Sequence, residues 1–155
     1  MKVLPTKLKG CVIIEPEIHE DDRGYFVEVF QANRYAGLAE INLQFVQDNH
    51  SYSHFNVLRG LHFQKKNPQG RLIRAVFGEV YDVAVDVRAL SDTFGEWEAT
   101  VLSESNKKQL WLPPGFAHGF QVLSKSACIE YKCTEYYDPK DEGRILWCDP
   151  DLSIP

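Results

Sequence analysis

Along most of this chain apolar residues alternate with polar ones or gather in short blocks, and glycine, proline and acidic clusters separate the blocks. A two-residue period of this kind predicts β-strands. Residues 7–16 read as a strand ending at Pro16, HEDDRG (19–24) as a turn and YFVEVF (25–30) as a strand. Residues 31–40 are the only plausible helix, and a short one. LQFVQ (43–47) returns to strand, whereas residues 48–56 are polar enough to read as loop. VLRGLHFQ (57–64) is a strand, KKNPQG (65–70) a turn, and RLIRAVFGEVYDVAVDVR (71–88) a long run broken at Gly78. In its second half Tyr81, Val83, Val85 and Val87 share a face that reads as core. Val80, Asp82, Ala84, Asp86 and Arg88 share the other, which suits a polar cavity or a solvent face. WEATVLS, KQLWLP, HGFQVLS, ACIEYKCTEYY and RILWCDP are further strands.

Strands of five to eight residues with glycine or proline turns predict an all-β sandwich or barrel. Their order fits a jelly-roll with one or two short helices, in which ligand sites form inside the barrel mouth. The 155 residues suffice for a single domain with a real core. No βαβ alternation, dinucleotide fingerprint, Walker sequence or internal repeat is present.

Composition narrows the function classes. The net charge of −5 argues against a nucleic-acid footprint, though a few arginines can still make a local anion pocket. No run of 18 apolar residues exists and the N-terminus lacks a signal-peptide core, so the expectation is a cytoplasmic protein without a membrane segment. Cys11, Cys128, Cys133 and Cys148 have no CxxC spacing; Cys128 and Cys133 share one apolar strand-like run and read there as two buried free thiols, with zinc or disulfide duty as the alternative.

Candidate chemistry centres on VLRGLHFQ and LPPGFAHGF (112–120), each with a histidine beside a glycine-marked bend. Such a pair suggests a metal site or an acid/base pocket. A metal needs three or four ligands, and Gln64 stands where a His-x-His pair would place its second histidine. No metal is therefore assigned. His62 suits a base near neutral pH, or a structural histidine. His118 follows a proline-stiffened turn that aims it at a cavity or leaves it on the rim. Tyr131 is a core tyrosine or a general acid, since a phenol is protonated at neutral pH. Tyr136 and Tyr137 offer an aromatic platform or packing. Arg23, Arg59, Arg71 and Arg74 are the cations nearest these segments, and a planar guanidinium fork suits phosphate. Strict alternation puts Arg59 opposite His62, unless Gly60 distorts the strand or Arg59 faces another subunit.

Long strings now carry a resemblance: DDRGYFVEVF, FVQDNHS, VLRGLHFQ, QGRLIRAVFGEVYDVAVDVR, SDTFGEWEATVLSESNKKQLWLPPGFAHGF and YKCTEYYDPKDEGRILWCDPDLSI. In order and spacing they resemble the nucleotide-sugar epimerases typified by dTDP-4-dehydrorhamnose 3,5-epimerase. The resemblance implies a cupin-like jelly-roll (double-stranded β-helix), a homodimer, no cofactor and no catalytic metal. The substrate it implies is a nucleoside-diphosphate 4-keto-6-deoxy sugar, epimerised at C3 and C5. A single-carbon epimerase or one using another nucleotide is the near alternative, and a non-enzymatic nucleotide-sugar-binding module the distant one. By resemblance His62 is the base and Tyr131 the acid, while Arg23, Glu28, Gln47, Asn49, Arg59 and His118 contact substrate. Tyr136 stacks on the nucleobase, and N-terminal strands complete the neighbouring subunit's site. Arg71 stands where the family commonly has lysine, keeping the charge without being a ready proton donor. The family continues past this segment to an aspartate that pairs with the base, whereas this chain stops at Pro155. Either another carboxylate replaces that partner, with Asp82 the candidate, or His62 works without one, or the chain is cut short.

Overall fold

The computed structural model describes residues 1–155. The predicted strands assemble into two main antiparallel sheets. The first contains six strands: β1 (Lys2–Pro5), β2 (Val12–Glu15), β10 (Gln109–Leu112), β7 (Arg71–Phe77), β12 (Ser126–Cys133) and β5 (Gln47–His54), in that spatial order. The second orders β13 (Glu142–Arg144), β6 (Leu58–Gln64), β11 (Phe116–Val122), β8 (Glu79–Asp86) and β9 (Trp97–Ser103). A separate hairpin joins β3 (Ile18–Asp21) to β4 (Gly24–Val27). The result is the expected all-β jelly-roll, with one helix, α1 (Ala32–Ala39). No helix is long and apolar enough to cross a membrane.

The core lies between the sheets. Ile73, Leu110 and Ile129 of the first meet Val80, Ala84 and Phe120 of the second, all buried. Helix α1 packs Tyr35 and Ala39 against Ile14, Leu72 and Trp111 on the outer face of the first sheet. Its ends are closed by Gln31, whose side chain accepts from Arg34 N, and by Glu40 in the left-handed region.

Several expectations are corrected, each for a packing reason. Residues 48–54 are strand rather than loop. β5 is an edge strand whose inner residues Asn49 and Ser51 line a cavity, so both its faces are polar. Leu43–Val46 is not strand. Its Phe45 is apolar because it packs edge-on against Phe30 and Trp111 over the helix. The strand expected over residues 7–16 spans only Val12–Glu15, and HEDDRG contributes to a hairpin rather than to a turn alone. The last strand covers Glu142–Arg144 instead of RILWCDP. In β8 both faces are buried: Val80, Asp82, Ala84 and Asp86 point between the sheets, and Val83 and Val85 pack outside against Trp97 and Ile154. The break at Gly78 is where the chain passes from one sheet to the other. Gly78 has φ +72°, and a Cβ there would meet the Ser126 carbonyl oxygen and lie 2.6 Å from Ser124 Oγ.

Candidate active site

Between the sheets, toward the β5 and β13 edges, lies a cavity of about 580 Å³, within the usual range for small-ligand sites. β5 contributes Gln47, Asn49 and Ser51 to its wall, β6 contributes Arg59, Gly60 and His62, and β11 contributes His118 and Phe120. Arg71 from β7 and Tyr131 from β12 stand across from them, and Tyr137 and Glu142 complete the wall. Seven of the eleven site residues expected from sequence therefore converge: His62, Tyr131, Arg71, Gln47, Asn49, Arg59 and His118 line one space, whereas Asp82, Arg23, Glu28 and Tyr136 do not.

The alternation problem for Arg59 has a structural answer. His118 on β11 pairs with His62, and Phe120 pairs with Arg59. Two steps along β11 thus match three along β6, so β6 carries one extra residue. Such a bulge reverses the facing of the side chains beyond it. Gly60 permits it, with φ +126° and its α-carbon against Gly119. Arg59 and His62 consequently reach the same cavity. The Arg59 Nε donates to Ser53 Oγ at 2.9 Å, which fixes the guanidinium over the rim.

Asp82 does not orient His62. It projects from β8 beneath His118, and His118 Nε2 lies 3.0 Å from both of its carboxylate oxygens. Asp82 is fully buried and lies outside the cavity wall, behind the imidazole it holds. The carboxylate that shares the cavity with His62 is Glu142, which sequence reading passed over. Its signal was weak: the DEGR string sits in a turn-like segment, and only its pairing with β6 reveals the proximity.

Burial lowers the His62 pKa, and the negative charge of Glu142 works against that shift. Burial raises the Tyr131 phenol, while Arg71 pulls it back. Arg71 Nη2 donates to Gln69 Oε1 at 3.1 Å, but its buried Nε has no hydrogen-bond partner in the protein. Such an unpaired donor is a costly feature unless a ligand acceptor meets it. No group of three or more His, Cys, Asp and Glu side chains gathers in metal-ligand geometry.

Gln64 serves neither as ligand nor as acid. Its amide nitrogen donates to the carbonyls of Asn67 and Tyr136, and its oxygen accepts from Asp138 N. It thereby pins the loop that carries both tyrosines. Gln47 Oε1 receives Tyr137 N at 3.0 Å, which sets Tyr137 on the wall, whereas Tyr136 is 68% exposed and off it. Adjacent tyrosines are indistinguishable in sequence. Arg23 and Glu28 also lie off this cavity: Arg23 pairs with Asp21 in the β3–β4 hairpin, and Glu28 with Arg34.

Comparison with known proteins agrees with this geometry. The family described as dTDP-4-dehydrorhamnose 3,5-epimerase matches residues 5–155. The Salmonella typhimurium dTDP-4-dehydrorhamnose 3,5-epimerase is 50% identical, over 99% of this chain and 85% of its own length. A crystal structure of the Legionella pneumophila dTDP-6-deoxy-D-glucose-3,5-epimerase with dTDP-4-keto-L-rhamnose superposes with a TM-score of 0.96 at 52% identity, covering 99% of this chain and 81% of that one. A 3'-monoepimerase of Streptomyces bikiniensis in complex with dTDP-quinovose gives 0.90 at 32% identity, covering 97% and 77%. The jelly-roll frame and matches of this length lead to one conclusion: the chain belongs to the dTDP-4-dehydrorhamnose 3,5-epimerase family of isomerases.

Proposed function

We propose that this cavity inverts C3 and C5 of a nucleoside-diphosphate 4-keto-6-deoxy sugar, of the dTDP-4-dehydro-6-deoxyglucose type, with His62 as base and Tyr131 as acid. The observation that carries this reading is the origin of the two groups. His62 comes from the five-stranded sheet and Tyr131 from the six-stranded one, so they flank the cavity from facing walls. Inversion needs a proton removed on one side of a carbon and returned on the other.

The C4 ketone acidifies the hydrogens on C3 and C5. His62 takes one of them, and the C–H electron pair moves onto the C4 oxygen as an enolate. The unpaired Nε–H of Arg71 supports a role as donor to that oxygen. Tyr131 then delivers its phenolic proton to the carbon and the ketone re-forms. Proton exchange with water resets both groups, and a second round inverts the other carbon. The ketone is present from the start, so no redox cofactor enters the scheme. Gln47, Asn49, Arg59 and His118 hold the sugar nucleotide, and Tyr137, the tyrosine of the pair that lies on the wall, offers its ring to the base. The protein works as a homodimer, with Arg23 and Glu28 reaching the neighbour's cavity. The detached β3–β4 hairpin, with Tyr25 and Phe26 57% and 69% exposed, supports that contact. Four free cysteines suit a reducing cytoplasm.

NMR of the 4-keto sugar nucleotide in deuterated water tests the proposal. Deuterium is expected at both C3 and C5 with inverted product. Tyr131→Phe is expected to retain exchange while losing inversion, and His62→Ala to lose both. Exchange at one carbon alone favours the second reading, a single-carbon epimerase, for which the Streptomyces bikiniensis relative is the precedent. Binding without exchange at either carbon overturns the enzyme assignment.

A further inference from the structure

Glu142 is the only carboxylate on the cavity wall, and the proton-transfer scheme above gives it no task. We propose that Glu142 is a positioning residue for the His62 base: it holds the Arg144 guanidinium away from the imidazole and supplies the negative charge that sustains the imidazole's basicity. The inference rests on the reading of His62 as the base.

Strand pairing sets the geometry. In the β13–β6 ladder Arg144 lies opposite His62 and Glu142 opposite Gln64. Directly opposed residues share a face, so all four side chains leave the sheet on the same side, and Glu142 is the diagonal neighbour of His62. Gly143 between them turns to the other face, where a Cβ would lie 2.5 Å from the Phe63 ring. Arg144 by itself puts a cation across from the base, where it disfavours proton uptake. Glu142 intercepts it: Glu142 Oε1 accepts from Arg144 Nε at 2.7 Å. The other oxygen accepts from the Tyr137 hydroxyl at 3.0 Å, so both ends of the carboxylate are held. The Glu142 side chain is 13% exposed against 75% for Arg144, which directs the carboxylate inward and the cation outward.

The remaining charged and titratable groups around His62 do not substitute. His118 from β11 is taken by Asp82, Arg59 of β6 and Arg71 of β7 are cations, and Tyr131 and Tyr137 are phenols. Burial, Arg144, Arg71 and His118 all lower the imidazole pKa, and Glu142 opposes them. Glu142 itself stays ionised, because the Arg144 bond holds its pKa below the ordinary range against the effect of burial, with Tyr137 and His62 assisting.

The experiment follows the His62 ring by NMR across pH in the full-length protein, assigned with His62→Gln, beside the pH profile of kcat/KM. Glu142→Gln keeps the shape, removes the charge and releases Arg144. The His62 midpoint is expected to move to lower pH, the acid limb of kcat/KM to follow it, and the plateau rate to fall because a weaker base removes a carbon-bound proton more slowly. Arg144→Gln removes the cation and is expected to move the midpoint the opposite way. A midpoint unchanged in Glu142→Gln, or displaced in the same direction by both variants, overturns the proposal and marks Glu142 as a packing residue of β13. Midpoints that move as expected without the acid limb following support the pairing and overturn His62 as the base.

Discussion

His118 Nε2 stands 3.0 Å from each carboxylate oxygen of Asp82, and the two side chains are 6% and 0% exposed. This is a buried pair at the floor of the cavity. Removing one partner leaves the other largely buried and without its hydrogen-bonding counterpart. Asp82→Ala is expected to cost about 3 kcal/mol of folding stability in urea titration. Asp82→Asn, which retains a hydrogen-bonding side chain, is expected to cost less. A loss below about 1 kcal/mol for the alanine variant, at the low end for an orphaned buried group, would contradict the pairing.

The pH profile follows from the two catalytic candidates. Burial lowers the His62 pKa, and the base works unprotonated, so activity rises with pH through a midpoint below the ordinary histidine value. Burial raises the Tyr131 pKa, and the acid works protonated, so activity is lost only above the ordinary tyrosine value. The expected kcat/KM profile is a plateau wider than the unperturbed values allow. Tyr131→Phe should abolish inversion at every pH rather than shift the basic limb.

Arg71 offers a direct measure of enolate stabilisation. Its buried, unpartnered Nε is the donor expected to be lost in Arg71→Met. Loss of one such donor costs on the order of 10²–10³ in kcat. Arg71→Lys restores the charge without the fork and is expected to recover most of that loss. Equal kcat in all three proteins would remove Arg71 from the mechanism.

Gly60→Ala probes the bulge. An added Cβ meets Gly119 Cα and lies 2.8 Å from the His118 carbonyl oxygen, at a φ that side chains avoid. The substitution is expected to destabilise by about 2 kcal/mol or more and to cut kcat/KM as Arg59 and His62 lose their shared facing. Thermal unfolding and steady-state kinetics read the two effects separately.

Thiol labelling reports the core. Cys148 is exposed, whereas Cys11 is buried and pushed up to about 12 by that burial. Cys133 is also buried, with its thiol raised for the same reason. Iodoacetamide is expected to modify Cys148 in the native protein and to spare Cys11 and Cys133 until denaturant is added. Rapid native labelling of Cys11 would contradict the packing around Leu8 and Ile73.

Acid lability has a source in Asp86. Burial alone would raise its pKa, but hydrogen bonds from Arg88, Ser91 and Thr93 outweigh that and hold it far below the usual aspartate range. Its contribution is therefore present above the unfolded-state value and is lost as pH falls through the depressed one. Asp86→Asn is expected to lower stability most near neutral pH and to narrow the gap to the parent protein as acid is added.

The two-residue period by itself determined most strands and the all-β class, because side-chain alternation is a local property of extended backbone; the interruption of that period over residues 31–40 marked the one helix, Ala32–Ala39. It misread β5 because a strand lining a polar cavity on one side and solvent on the other has no apolar face to announce it. It misjudged Leu43–Val46 because apolar residues packing under a helix look like strand residues. The strings around His62, His118 and Tyr131 marked the chemistry, and their resemblance to one family named its class. Which carboxylate lies near which histidine was decided only in three dimensions. Asp82 reaches His118 across the β8–β11 pair, Glu142 shares the cavity with His62 through the β13–β6 pair, and a single extra residue at Gly60 turns Arg59 into the cavity that His62 lines. Those relations depend on register and on a bulge, and both arise from pairing between strands far apart in the chain.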